Sequence, residues 1–501
     1  MGVRTGAQYL ADLDEKPREL WIDGTRITSR MSQHPAFRNV ARSVAALYDY
    51  QADPAHRDVM TYPSPSTGEP VSLSFLIPRT REDLARRRGM MEAWANLSGG
   101  FLGRSPDYLN ADLMALASAA PFFAQNDPRF EDNIRRYYEY VREHDLALTH
   151  TLINPQANRG ASLAQQADPY LAARIVERTA DGIIIRGARM LATLPMADEI
   201  LVFPSTVIRA TDEDRPYAYA FALPLSTPGL KLICRESFDY GRSHFDHPLG
   251  SRFEEMDCMV VFNDVLVPWE RVFLLEDGEL CNRLYPDTDA TVHMTHQVIV
   301  KNIAKAEFIL GVASLIVDTI GIEQFQHVQE KIAEIIKAVE TEKAFVTASE
   351  AGARENRWGV MTPDWTPLNI ARNTFPYVYP RLVEIIQQLG ASGLMAIPTE
   401  NDLAAHDLRP DIDRYYQAKN TAAAERIRLF RLAWDIAVST FGGRQTLYER
   451  FFFGDPVRMA GALYASYDKN PMKDRVRRFL AETPIPEPGA SRPAPEPNDR
   501  T

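Results

Sequence analysis

Cysteine is scarce: Cys234, Cys258 and Cys281 are the only three in 501 residues. Far apart in sequence, they offer no disulfide framework and no C-x-x-C metal or redox spacing, which fits a reducing compartment. Positive charge is in deficit too, with 56 Lys and Arg against 67 Asp and Glu and a formal net charge of -11. That balance argues against nucleic acid as a partner. The one basic run, Arg86-Arg87-Arg88, is offset by Glu82, Asp83 and Glu92 and reads as a solvated helix face. Long apolar runs are missing as well. Phe308 to Val317 is too short to span a bilayer and is bracketed by Glu307 and Asp318, so no membrane association is expected. The opening residues, with Thr5, Gln8, Asp12 and Asp14, lack the basic-then-apolar order of a secretory leader, and a cytoplasmic protein is the expectation. There is no HExxH, no GxSxG and no Gly-rich phosphate loop. Zinc proteolysis, α/β-hydrolase chemistry and P-loop phosphoryl transfer therefore lack support.

What is present is a globular composition, 45% apolar and 25% charged, in a chain too long for one compact core. Residues 1–150 read as a helical domain after a short β-like opening, Leu20-Trp21-Ile22-Asp23-Gly24, whose Asp-Gly marks a tight turn. Helices are expected over 80–97, with Thr80 and Asp83 as a capping pair, over 107–123 and over 131–143. Residues 151–275 read as an antiparallel sheet or small barrel. Ile175-Val176-Glu177 and Ile183-Ile184-Ile185 flank Asp181-Gly182, a strong hairpin signal, and β-rich runs follow at 200–203, 217–223, 230–234 and 259–267. Residues 276–482 return to helical period, with apolar stripes at Val328, Ile332, Ile335, Ile336 and Val339, and at Val378, Leu382, Ile385, Ile386 and Leu389. A third helix carries Ile427, Phe430, Ala433 and Ile436 and is expected to end at Gly442-Gly443; with 295–317 this makes a four-helix bundle. Residues 483–501, rich in proline, are expected to be disordered. The class is α+β, mostly α.

The stretch that carries chemistry is Gly103-Arg104-Ser105-Pro106-Asp107-Tyr108. Ser105 reads as an N-cap and Pro106 as the first helical residue, so a helix end that favours anions lies beside the Arg104 guanidinium. Tyr108, four residues on, can bring its hydroxyl to the same mouth. Together they form a candidate cradle for a phenolate, carboxylate or phosphate. Taken alone, the hexapeptide also reads as an ordinary capped helix. His150 stands where the helical region hands over to the β region, a preferred place for a ligand cleft. A lone His is usually structural, and its weight here comes from combination with Arg104 and Tyr108. A competing constellation, His244-Phe245-Asp246-His247 with His293 and His296, offers two legs of an iron facial triad but no third ligand, and no metal is expected.

Beyond these residues, the chain resembles a known family. The order helical domain, β domain, helix bundle resembles the acyl-CoA dehydrogenase fold. Narrower matches are His34-Pro35-Ala36-Phe37-Arg38-Asn39, the 103–108 hexapeptide, His150 with Asn154-Pro155, Asp181-Gly182-Ile183-Ile184, Val267-Pro268-Trp269-Glu270 and Phe441-Gly442-Gly443-Arg444. These resemble the oxygenase components of two-component, reduced-flavin-dependent phenol monooxygenases, of the 4-hydroxyphenylacetate 3-hydroxylase type. The resemblance implies that Arg104, Tyr108 and His150 grip the phenolic oxygen and are catalytic. It further implies that Gln156, Ala157, Asn158, Arg159 and Thr193 line the flavin, that Gly454 and Asp455 approach it from the bundle, and that Ser205 and Thr206 lie on a substrate loop. Residues 207–216 have no firm counterpart. The related 4-hydroxybutyryl-CoA dehydratases share the fold but need cysteine ligands for an iron–sulfur cluster, which three scattered cysteines do not supply.

The implied reaction is ortho-hydroxylation of a small phenol to a catechol, with FADH2 from a separate reductase and O2 as co-substrate, through a flavin C4a-hydroperoxide. A homotetramer, built as a dimer of dimers, is the family expectation. His150, with an unperturbed pKa of about 6.5, is suited to take the phenol proton. An acyl-CoA dehydrogenase would need a carboxylate base that the sequence does not place, and a non-catalytic scaffold or a halophenol monooxygenase of the same family are the other readings. Ser205 and Thr206 could bind a carboxylate, which favours an arylacetate. The choice of phenol stays open.

Overall fold

The computed structural model describes residues 2–489 except 29, 159, 206, 207, 484 and 486. A first compact unit ends at Phe452, and a second begins at Phe453. In the first, the expected helix over 80–97 spans Arg81–Leu97, with Thr80 and Asp83 closing a reciprocal capping box. Asp127 caps Pro128–His144, where proline occupies the first turn and its missing N–H costs nothing. The helix expected over 107–123 breaks at Ala119 into Asp107–Ser118 and Ala120–Ala124. Ser105 is not the cap foreseen. Pro106 is already helical and the Ser105 hydroxyl faces Gln297, because the helix start is buried under a later helix. The basic run does not lie on one solvated face either. Arg87 is fully buried and its Nη1 lies 3.2 Å from Nδ1 of His293.

Two sheets follow the β-rich runs. Glu19–Ile22 turns through Asp23 and Gly24, both at positive φ, into Thr25–Arg26, the two-residue hairpin that Asp-Gly favours. Arg174–Arg178 pairs antiparallel with Gly182–Thr193 across Asp181, as expected. The six-stranded sheet is completed by Leu230–Cys234 and Asp257–Pro268; the four-stranded sheet holds Leu148–Thr151, Glu199–Val202, Tyr219–Pro224 and Val272–Leu275. The six-stranded sheet recruits two strands from the first 150 residues, and the four-stranded sheet recruits one that straddles the expected boundary at 150. Glu19–Ile22 joins parallel to Leu230–Cys234, and Leu148–Thr151 joins parallel to Glu199–Val202 with His150 opposite Leu201. The sheets meet through Phe221 against Phe262 and through Arg189 Nε donating to Tyr219 Oη.

The bundle is built from Ala290–Ile320, Gln326–Ala351, Trp365–Gly390 and Ala423–Ala437. The predicted stripes supply most of its core: Ile335, Val339, Leu382, Ile385, Ile386, Phe430 and Ile436 are at most 3% exposed, whereas Ile336, expected in the same stripe, is 44% exposed. Each such side chain contributes about 1.5–3 kcal/mol by leaving water. Gly442-Gly443 does not end the fourth helix. Ser439 caps a new helix, Thr440–Phe451, and a Cβ on Gly442 would sit 2.4 Å from Ile436 O, so glycine is needed for the chain's close return.

The second unit holds Pro456–Ser466, capped by Asp455, and Asn470–Ala481. The tail expected to be disordered lies mostly outside the described residues. Among the described residues no helix is long and apolar enough to cross a membrane.

Candidate active site

Residues remote in sequence converge on the turn before Asp107–Ser118. Gly103 makes room there for Tyr448, since an added Cβ would lie 2.5 Å from the Tyr448 hydroxyl and that ring would have to shift. The turn presses Arg104 among aromatic faces. Its guanidinium carbon is 4.7 Å from the Tyr108 ring centre, 4.5 Å from Phe452 and 5.6 Å from Tyr448, close enough for cation–π attraction in all three cases. The Arg104 backbone N–H donates to Glu255 Oε1 at 2.5 Å. The anion expected beside this helix start is therefore, in part, the protein's own carboxylate. Nε and Nη1 of Arg104 are buried and lack any hydrogen-bond partner. Two orphaned donors on a charged group are costly unless an acceptor arrives.

Tyr108 is 7% exposed. His150, on its parallel strand, brings its ring centre to 6.0 Å from that of Tyr108, and Phe203 closes its other side at 6.2 Å. Tyr285 packs on Phe203 in turn. Burial opposes the charge on Arg104, yet the Tyr448, Tyr108 and Glu255 groups around it hold its pKa above the ordinary value. Burial, and secondarily Arg104, push His150 well below 6.5, so the imidazole is neutral at pH 7. This corrects the unperturbed value expected from sequence. Burial raises Tyr108 while Arg104 opposes the shift, leaving the phenol protonated and able to donate.

Sequence reasoning missed Asp112. One turn beyond Tyr108, it is fully buried, both carboxyl oxygens lack partners, and burial pushes its pKa up to about 8. Its spacing of four from Tyr108 was the available signal. Tyr448, Phe452 and Glu255 carried no local signal. Behind Arg104, Arg444 donates from Nη1 to Glu255 (2.9 Å) and from Nη2 and Nε to the two oxygens of Asp257 (2.8 and 3.1 Å), a bidentate pair. Thr193, one of the residues implied for the flavin, donates from Oγ1 to Asp257 Oδ1 at 2.8 Å and so joins this network.

The other predicted positions are more scattered. Gln156, Ala157 and Asn158 are exposed just after the His150 strand, and Arg159 lies outside the described residues. Ser205 is half-buried two residues beyond Phe203; Thr206 lies outside the described residues. Gly454 and Asp455 belong to the second unit, where Gly454 takes φ +106° and Asp455 accepts from Val457 N. The rival metal residues are engaged elsewhere. His244 Nδ1 meets Ser251 Oγ at 2.6 Å, Asp246 faces Arg431 and accepts from Glu400 N, and His296 Nε2 meets Glu350 at 2.9 Å. Among the described residues no cluster of three or more His, Cys, Asp or Glu could hold a metal.

A flat, partly apolar cofactor finds suitable surface here. Ile153, Leu191 and Met259, on bonded neighbouring stretches around Met190, stay 39%, 45% and 36% exposed. Ile153 stands three residues before the exposed 156–158 segment, and Leu191 two residues before Thr193.

Family models for the 4-hydroxyphenylacetate 3-hydroxylase N terminal and C terminal regions match residues 5–274 and 281–481. The 4-hydroxyphenylacetate 3-monooxygenase oxygenase component of Geobacillus sp. (strain PA-9) is 52% identical over 481 residues, 96% of this chain and 97% of that protein. A crystal structure of such an oxygenase component, complexed with FAD and 4-hydroxyphenylacetate, superposes with a TM-score of 0.92 at 51% identity, covering 96% of this chain and 98% of the other. An archaeal 4-hydroxybutyryl-CoA dehydratase from N. maritimus shares the fold, with a TM-score of 0.87 at 20% identity over 98% of this chain and 97% of that one.

Proposed function

Because the chain belongs to the 4-hydroxyphenylacetate 3-hydroxylase family, we propose that it is the oxygenase component of a two-component monooxygenase that hydroxylates 4-hydroxyphenylacetate beside its hydroxyl, giving a catechol. A separate reductase supplies reduced FAD. When bound, that cofactor supplies the electrons and activates dioxygen. The exposed Ile153, Leu191 and Met259, with Gln156, Ala157, Asn158 and Thr193, would hold the flavin, and Arg159 is assigned to it as well.

Arg104, Tyr108 and His150 receive the phenolic oxygen. The orphaned Nε and Nη1 of Arg104 are the observation that carries this assignment, since a phenolate oxygen can accept from one of these buried donors. A free phenol has a pKa near ~10, and only its anion makes the ring a strong nucleophile at the ortho carbon. Arg104 stabilises that anion by charge, and Tyr108 donates a further bond from Oη. His150, neutral because burial disfavours its imidazolium, can accept the proton leaving the phenolic oxygen. A base held below 6.5 cannot take that proton unaided: each pKa unit of mismatch costs about 1.36 kcal/mol, so the phenol's own pKa must fall, which is the task of Arg104. The aromatic wall of Phe203, Phe452 and Tyr285 keeps water from the reacting carbon. Ser205 and Thr206 are assigned to the substrate carboxylate; the step from Phe203 to Ser205 along the chain supports this.

A homotetramer in the cytoplasm, with domains at 1–150, 151–275 and 276–482, completes the reading. Rapid mixing of the protein with reduced FAD, oxygen and a panel of phenols tests it. Stoichiometric catechol from 4-hydroxyphenylacetate is expected; peroxide alone with every phenol would refute it.

A further inference from the structure

Two of the three cysteines, 24 positions apart in sequence, face each other across neighbouring strands. Cys234 ends Leu230–Cys234 and stands opposite Cys258 in the antiparallel register, and their sulfurs lie 3.1 Å apart as free thiols. Arg235 N donates to Asp257 O at 3.1 Å, so the next pair, 234 with 258, takes the narrow position between ladder bonds. There the Cα atoms approach to about 4.5 Å, inside the range a disulfide bridges. On its other side the Cys258 strand pairs with Gly182–Thr193, where Leu191 is an extra residue opposite the Cys258–Met259 step, while the ladder that holds the two cysteines is unbroken. Cys234 is partly exposed, whereas Cys258 is 3% exposed. Cys281 is buried on another element, the Gly278–Thr288 helix.

We propose that Cys234 and Cys258 are a peroxide-oxidised thiol pair, forming a reversible intramolecular disulfide behind the candidate site. Hydrogen peroxide transfers one oxygen to the accessible Cys234 sulfur, giving a sulfenic acid and water. The Cys258 sulfur then attacks the Cys234 sulfur, the S–O bond breaks, and a second water leaves; both thiol protons end in water. Overall, two thiols are oxidised by two electrons and one peroxide is reduced to two waters. Bond formation draws the sulfurs to about 2.05 Å, a movement of roughly 1 Å. Peroxide is also what a flavin oxygenase releases when its activated oxygen meets no phenol, so the oxidant arises beside the pair. Asp257, adjacent to Cys258, joins Thr193 and Arg444, and Arg444 reaches Glu255 under Arg104. The modification therefore falls on the strand end that supports the site.

The test adds hydrogen peroxide directly to the full chain and so stands apart from the hydroxylase reading. Thiols counted after denaturation should fall from three to one per chain and return to three with dithiothreitol. Trypsin should release residues 232–235 joined to residues 253–271, and no disulfide-linked dimer should form. Cys281→Ser should lose both of its remaining thiols; Cys234→Ser should form no cross-link. Retention of three thiols, oxidation of Cys234 beyond recovery without the linked peptides, or a linkage through Cys281 or between chains would each overturn the proposal.

Discussion

Replacing Arg104 by methionine removes the charge while keeping an unbranched chain against Tyr108 and Phe452. With a phenolate oxygen ~4 Å from the guanidinium and an effective dielectric constant of ~20, the lost attraction is about 4 kcal/mol, or roughly three pKa units. A bound phenol that Arg104 brings from ~10 to ~7 would be about three-quarters ionised at pH 7.5; without Arg104 about 0.3% would be. Catechol formation in a single turnover should therefore fall roughly 200-fold at pH 7.5. The acid limb of the pH–rate profile should move up by about three units and much of the rate should return near pH 10, while peroxide release rises. Arg104→Lys should fall between the two, because a point charge cannot hold two in-plane bonds. The assay is rapid-quench measurement of catechol and peroxide from pH 6 to 10, with FAD binding and thermal unfolding as controls. A methionine variant with the wild-type rate and an unshifted profile would refute the reasoning.

Other perturbations probe separate parts of the site. His150→Ala should lower catechol yield about a hundredfold at neutral pH and raise peroxide release to match; unchanged partition between the two would remove its role as base. Asp112 has a raised pKa in the folded chain, so its unfavourable contribution begins above the unfolded value near ~3.9 and grows until pH passes about 8. Asp112→Asn should accordingly melt higher than wild type at pH 8 by a few kcal/mol, with the gap closing by pH 4; parallel curves across that range would contradict it. Arg444→Met removes the ion pair of the buried Glu255, while Asp257 keeps Arg235 and Thr193, and should cost about 3–5 kcal/mol in urea unfolding, against under 1 kcal/mol if the network were solvated. Gly103→Ala should cost about 1–3 kcal/mol and disturb Tyr448; a neutral effect would mean the turn can yield.

Local chemistry made much of the architecture legible. Asp23-Gly24 and Asp181-Gly182 marked real hairpins, Thr80 with Asp83 marked a real helix start, and the stripes through Ile335 and Ile385 marked the bundle core. The failures share a cause in tertiary contact. Gly442 reads as a helix stop, yet its role is close approach to Ile436. Ser105 reads as a cap, yet burial under Gln297 redirects it. Arg87 reads as solvated, yet it packs on His293, 206 residues away. At the site, Arg104 and Tyr108 share one turn, and His150 was legible through its place at a junction and the family resemblance. Tyr448 and Phe452, over 300 positions on, reach Arg104 only through the folded chain. The 3.1 Å approach of Cys234 to Cys258 was equally hidden, since strand register decides it.

The ionisation state of bound substrate is the most direct measurement. With reduced FAD bound under anaerobic conditions at pH 7, adding 4-hydroxyphenylacetate should produce the ultraviolet difference band of a phenolate, and Arg104→Met should abolish it while still binding the ligand. A neutral-phenol spectrum in the wild-type complex would contradict the account.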